Sequence, residues 1–286
     1  VLALMLNLEE YVEHLDDFIK TIPWLKLFKY DNRSDQICLE PEYGASDLMV
    51  KFFASQTDRY LLLYTKSDNV DHLLDLPHGG HTIVNWSLSC DRVSREIERF
   101  TPHVTARIEA ARKCQQAGYT VRTRFSPIIP IADWREQYAL TTRELLRQVK
   151  PDVVTLDVIG WMSAGMLARC VNVSQFDRPY REFIEDIIRQ GDPRRGKPYN
   201  PDGKHIFPTE LRAPIYRHMI DVIRQSNPEQ RITICMETPE MWNLFGDELG
   251  MAPEDYVCCC GPTSVPGHPL LSACQQGHGS SKIPLL

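Results

Sequence analysis

Apolar and polar positions alternate along this chain in two distinct rhythms. Short apolar runs read as strands: Leu25–Tyr30, Tyr60–Thr65, Thr82–Ser87, Thr120–Phe125, Val153–Ile159 and Ile232–Cys235. Between them the apolar residues recur at helical spacing. Leu8, Val12, Leu15 and Ile19 share one face, as do Val104, Ile108 and Ala111 in a stretch that stops at Gly118. Asp133 and Glu136 read as a capping box before Tyr138, Leu145 and Val149. Thr209 precedes Leu211, Ile215, Met219 and Val222, and Thr238-Pro239 reads as a cap followed by a first-turn proline.

Helix and strand in regular alternation predict parallel strands joined by helices, an α/β fold, either a barrel or an open doubly wound sheet. The pattern opens on a helix, so strict alternation leaves a strand missing before Leu8. Residues 190–208, rich in Gly, Pro, Arg and Lys, read as a surface excursion. From Gly261 the chain turns to Gly, Ser and Pro without periodicity, which predicts a main domain over 1–260 and a flexible tail over 261–286.

With 286 residues, 43% of them hydrophobic, the chain can bury one sizeable core. No apolar run reaches the ~18 residues of a membrane span. Val1–Leu6 is apolar but runs straight into Glu9 and Glu10, a poor signal peptide, and a first residue other than Met points to a start within a longer protein. Nine cysteines, an odd number and mostly isolated, argue for a reducing cytoplasm rather than a disulfide framework. A net charge of -6 does not support a nucleic-acid partner, since phosphate binding usually demands a basic balance. The tight basic cluster Arg194, Arg195 and Lys197 reads as a solvated loop.

Candidate chemistry collects where strands end, because parallel α/β folds bind ligands at their carboxyl ends. Lys66 follows the strand 60–65, Asp35 follows the strand 25–30, and Ser87 and Ser89 close the strand from Thr82. His78 and His81 flank Gly79-Gly80 without a phosphate-loop pattern and read as a turn before a strand. Cys258, Cys259 and Cys260, with His268 and Cys274 downstream, form a candidate soft-metal site, although metal ligands usually stand two residues apart. Cys235 could join them.

Several segments resemble the spore photoproduct lyase family of radical S-adenosylmethionine (SAM) proteins. They are Thr65-Lys66 with Val70–Leu74, Arg107–Ala111 leading to Ala117-Gly118-Tyr119, Pro127-Ile128 with Trp134, and Phe28 with Ser34-Asp35. The segment Cys235–Pro239, with Tyr256 and the cysteines after it, is similar more loosely. The resemblance implies a partial (βα)6 TIM-type barrel whose first strand and cluster loop are missing here. It implies SAM and a [4Fe–4S] cluster as cofactors and a 5′-deoxyadenosyl radical that abstracts hydrogen from a substrate. It places Ser34, Asp35, Lys66, Ser87 and Ser89 at SAM.

Two departures stand out. The family's C-x3-C-x2-C cluster loop occurs nowhere in the chain, so its ligands are expected upstream of Val1 and the chain alone is expected to be inactive. The family's hydrogen-donating cysteine, two positions before the Ser-Asp pair, is replaced by Asn32, whose amide N–H bond is too strong for that role. The expectation is therefore a radical SAM enzyme of unassigned substrate. A DNA photoproduct lyase in the strict sense and a non-catalytic SAM- or protein-binding relative are the alternatives.

Overall fold

The computed structural model describes residues 7–30, 34–192, 205–251 and 258–269. Helix α1 (Leu8–Thr21) comes first, then β1 (Leu27–Lys29), α2 (Ala45–Ala54), β2 (Tyr60–Thr65) and β3 (Thr82–Leu88). Helices α3 (Asp91–Glu96) and α4 (Val104–Gln116) lead to β4 (Thr120–Ile128), α5 (Trp134–Gln148) and β5 (Val154–Val158). Helices α6 (Ala164–Cys170), α7 (Arg178–Arg189) and α8 (Thr209–Ser226), then β6 (Ile232–Ile234) and α9 (Pro239–Leu249), complete the order. The six strands are all parallel and lie in chain order, a sheet curled into a half-barrel of TIM type. Each apolar run named from the sequence coincides with one of them, β3 and β4 running on to Leu88 and Ile128, and no strand precedes α1 among the described residues.

The two faces of the sheet differ because side chains alternate along each strand. Phe28, Leu61, Leu63, Val84, Trp86, Val121, Phe125, Val154, Leu156, Ile232 and Ile234 are buried in the main core with the helices. On the inner face, Leu27, Leu62 and Ile83 form a small separate cluster with Cys260 and Val265. Above it the register aligns Tyr64, Asn85 and Arg122 in one row. The next row holds Ser87, Arg124, Thr155 and Thr233. A polar inner face and an apolar outer face are what a ligand-enclosing barrel requires.

The stretch from Gly261, expected as part of a free tail, is packed as far as it is described. Arg122 reaches across the inner face and its Nη1 donates to Cys259 O at 3.0 Å and Ser264 O at 2.7 Å. Ser264 is fully buried, and Pro262 O accepts from Lys26 N and Leu27 N at 2.9 and 3.0 Å. A buried guanidinium needs acceptors, and this irregular segment supplies them. Residues 270–286 lie outside the described residues.

Capping also differs in part from expectation. Thr238 caps α9, accepting from Met241 N, with Pro239 in the first turn. Asp133 stands at the N-cap of α5 without capping it, because its carboxylate accepts from Arg92 Nη1 at 2.8 Å instead. Thr209 is the first residue of α8 and donates to Glu240 Oε2 at 2.6 Å. Among the described residues no helix is long and apolar enough to cross a membrane.

Candidate functional site

The carboxyl ends of β2 and β3 carry a charged cluster centred on Glu98, which lies beyond α3. Its Oε1 pairs with Lys66 Nζ, and its Oε2 accepts from Ser89 Oγ at 3.0 Å and Arg107 Nη2 at 2.6 Å. Arg107 is fully buried on α4 and spends its other donors on Pro102 O at 2.8 Å, Ser87 O at 3.1 Å and Thr101 Oγ1 at 2.8 Å. Burial alone would push the Glu98 carboxyl up, but the charges of Lys66 and Arg107 outweigh it and hold the group below the usual carboxylate range. The Lys66 side chain remains 31% exposed, so it can still meet a ligand.

Asp35 fixes the turn that presents Lys66. Its Oδ2 accepts from Lys66 N at 2.7 Å and Thr65 Oγ1 donates to the same carboxylate at 3.0 Å. Ser34 lies beside it, its Oγ accepting from Gln36 Nε2 at 3.1 Å. The structure thus brings Lys66 and Ser89 to the Glu98 carboxylate, ties the Ser87 carbonyl to Arg107, and attaches Asp35 to the turn that carries Lys66. Asn32 lies outside the described residues. Glu98 and Arg107 join these positions into one unit. Glu98, one of several charged residues between Asp91 and Arg99, gives no sign of this in the sequence; Arg107 is signalled only by its place in the Arg107–Ala111 motif.

A second polar cluster lines the inner face at β4, β5 and β6. Ser126 Oγ donates to Asp157 Oδ2 at 2.6 Å, and Arg124 Nη2 reaches Ser126 Oγ at 2.6 Å and Asp157 Oδ2 at 3.3 Å. Burial raises the Asp157 carboxyl to about 6, against the opposing pull of Arg124 and Ser126. Tyr64, beneath the Arg124 guanidinium, has its hydroxyl 3.3 Å from Cys259 Sγ. Asn85 is fully buried in the same lining, with neither amide atom partnered among the described residues.

The histidine pair does not form a metal site. His78 stacks on Tyr119 with its Nε2 3.1 Å from Ala117 O, and His81 stacks on Tyr60 with its Nδ1 2.8 Å from Arg59 O. At the candidate auxiliary site, Cys258 Sγ lies 3.3 Å from Cys260 Sγ and Cys259 Sγ lies 3.3 Å from the Tyr64 hydroxyl. Among the described residues no group of three or more His, Cys, Asp or Glu side chains could hold a metal ion.

Comparison with known proteins places this geometry. The spore photoproduct lyase family profile matches residues 2–234. The spore photoproduct lyase of Bacillus subtilis is 29% identical over 157 residues, covering 54% of this chain and 46% of that protein. That of Clostridium acetobutylicum is 25% identical over 143 residues, covering 50% and 41%. This chain therefore spans less than half the length of those relatives. A solved spore photoproduct lyase complexed with dinucleoside spore photoproduct superimposes with a TM-score of 0.59 at 21% identity, over 80% of this chain and 66% of that one. Another, a mutant with bound AdoMet and the same dinucleoside, gives 0.56 at 22% identity over the same shares.

Proposed function

Because the chain belongs to the spore photoproduct lyase family of radical SAM proteins, we propose that it forms the SAM-binding barrel of a radical SAM enzyme with a substrate still to be assigned. The observation that carries this reading is the convergence of Lys66, Ser89 and Arg107 on Glu98 at the strand ends. The Lys66 ammonium, at the exposed edge of the cluster, suits the carboxylate of an amino acid group. The Lys66 ammonium has three donors and spends one on Glu98, so others can reach an oxygen of SAM. Ser87 and Ser34 can orient the ligand through their hydroxyls, and Asp35 holds the Lys66 backbone in place. Reductively cleaved SAM supplies a 5′-deoxyadenosyl radical, a strong abstractor of hydrogen.

The residues present fit SAM but not a [4Fe–4S] cluster. C-x3-C-x2-C is absent from the 286 residues, and the described thiols offer no cluster geometry. We infer that the cluster ligands lie outside these 286 residues.

Two structural neighbours hold dinucleoside spore photoproduct, which supports a second reading, a DNA photoproduct lyase in the strict sense. Asn32 at the family's donor position and the net charge of -6 favour a different substrate. A non-catalytic SAM binder is the third reading.

Equilibrium dialysis with labelled SAM tests the site directly. The chain is expected to bind SAM, and Lys66→Ala to weaken binding about tenfold or more, the scale of one lost charge-assisted hydrogen bond. Unchanged affinity in Lys66→Ala would remove the site. A complete protein, reconstituted with iron and sulfide and reduced, is expected to yield 5′-deoxyadenosine. SAM binding without that product would select the non-catalytic reading.

A further inference from the structure

Four thiols on the inner face take no part in the function proposed above. Cys235, directly after β6, lies next to Cys258. Cys258 Sγ lies 3.3 Å from Cys260 Sγ, and Cys260 N donates to Cys258 Sγ at 3.4 Å. Cys259, between them in sequence, turns to Tyr64. All four are free thiols, three of them buried and Cys260 half-buried.

We propose that Cys258 and Cys260 are an oxidisable pair that closes a reversible disulfide across Cys259, with hydrogen peroxide as the oxidant. Three features of the geometry select this pair. The sulfurs need to approach by little more than ~1 Å to reach the bond length of about 2.0 Å. Residues two apart in a turn fall within the Cα separation a disulfide tolerates, whereas directly adjacent cysteines must distort the peptide between them. Cys260 is the member of the pair that solvent can reach, so it meets the oxidant first.

The chemistry balances in two steps. Peroxide transfers an oxygen to Cys260 Sγ, giving a sulfenic acid and one water. Cys258 Sγ then attacks that sulfur, the S–O bond breaks, and the departing hydroxide leaves with the Cys258 proton as a second water. Two thiols lose two electrons and two protons in total, and one peroxide becomes two waters.

Cys259 serves as the positioning residue. The S–H groups of Cys258 and Cys260 donate to it and, despite its burial, the Arg124 guanidinium also favours its charged form, so its thiol is held well below the usual range. Both neighbours are held as thiols in turn. Cys259 lies against both members of the pair and can take up the proton released when peroxide attacks.

The test uses the whole 286-residue chain, reduced, treated with chelator, exposed to a few equivalents of hydrogen peroxide, alkylated and digested for mass spectrometry. The expected product is a peptide two hydrogens lighter in which Cys258 and Cys260 are unlabelled while Cys235 and Cys259 carry label, and dithiothreitol restores both thiols. Cys258→Ser and Cys260→Ser should each abolish it, and Cys235→Ser should leave its yield unchanged. Cys259→Ser should still form the bridge but about tenfold more slowly at pH 7, with the rate rising more steeply toward alkaline pH. A Cys235–Cys258 bridge, irreversible oxidation of the trio in place of a bridge, or no loss of thiols would each overturn the assignment. So would thiols that stay unreactive unless a bound metal is first removed.

Discussion

Two carboxylates, Glu98 and Asp157, meet arginine on the same half-barrel and are driven in opposite directions. Glu98 faces Lys66 and Arg107 and accepts from Ser89, and its carboxyl is held low. Asp157 has a single arginine, at 3.3 Å, and one serine, with only 4% of its side chain exposed, and its carboxyl rises to about 6. Desolvation acts on both; the second cation decides the outcome. The rim cluster is thus fixed in its charged form across the physiological range, while the inner cluster sits where a proton can come and go.

The pH dependence of stability follows with opposite signs. For Glu98 the stabilising contribution is present above about pH 4.3, the unfolded value, and is lost as pH falls through the lower folded value. For Asp157 it is fully present below about pH 3.9 and is lost as pH rises through about 6.

The largest expected effect comes from breaking the first cluster. Arg107→Met would take from Glu98 its buried cation and from the Ser87 carbonyl its arginine donor, and is expected to cost about 3–5 kcal/mol in urea unfolding at pH 7. A loss under 1 kcal/mol would mean that Lys66 alone sustains the carboxylate. Next comes Asp157→Asn, which should remove a pH slope of about 3 kcal/mol accumulated between about pH 4 and 6, the energy of a shift from 3.8 to about 6. Thermal melts across that range compare the variant with the parent, and identical slopes would show that Asp157 stays ionised in the fold. The smallest is Ser89→Ala, which deletes one hydroxyl donor to Glu98 and should cost about 1 kcal/mol. A larger loss would shift weight from the cations to the neutral donor.

The strands were legible because each is a short apolar run between turn signals, and Lys66 and Ser89 were legible because they follow such runs directly. Glu98 was not, since it stands 32 positions from Lys66 in the turn after α3 and only folding brings the two together. The inner face shows a related gap. Alternation in Thr120–Phe125 exposes Arg122 and Arg124 as one-sided, yet nothing local says that Arg122 turns to Ser264, 142 residues away. The cysteine run was visible at once, but the facing of Cys258 and Cys260 and the contact of Cys259 with Tyr64 depend on backbone conformation that composition does not encode.

The carbonyl of Pro262 has a consequence for self-association. It occupies the amide hydrogens of Lys26 and Leu27 at the outer edge of the sheet. An unoccupied edge is a template on which a second copy can add a strand, and growth by that route leads to fibrils. Proline has no amide hydrogen of its own, so the residue that covers this edge cannot extend the ladder outward. With the segment in place, those two amides are not open to an added strand.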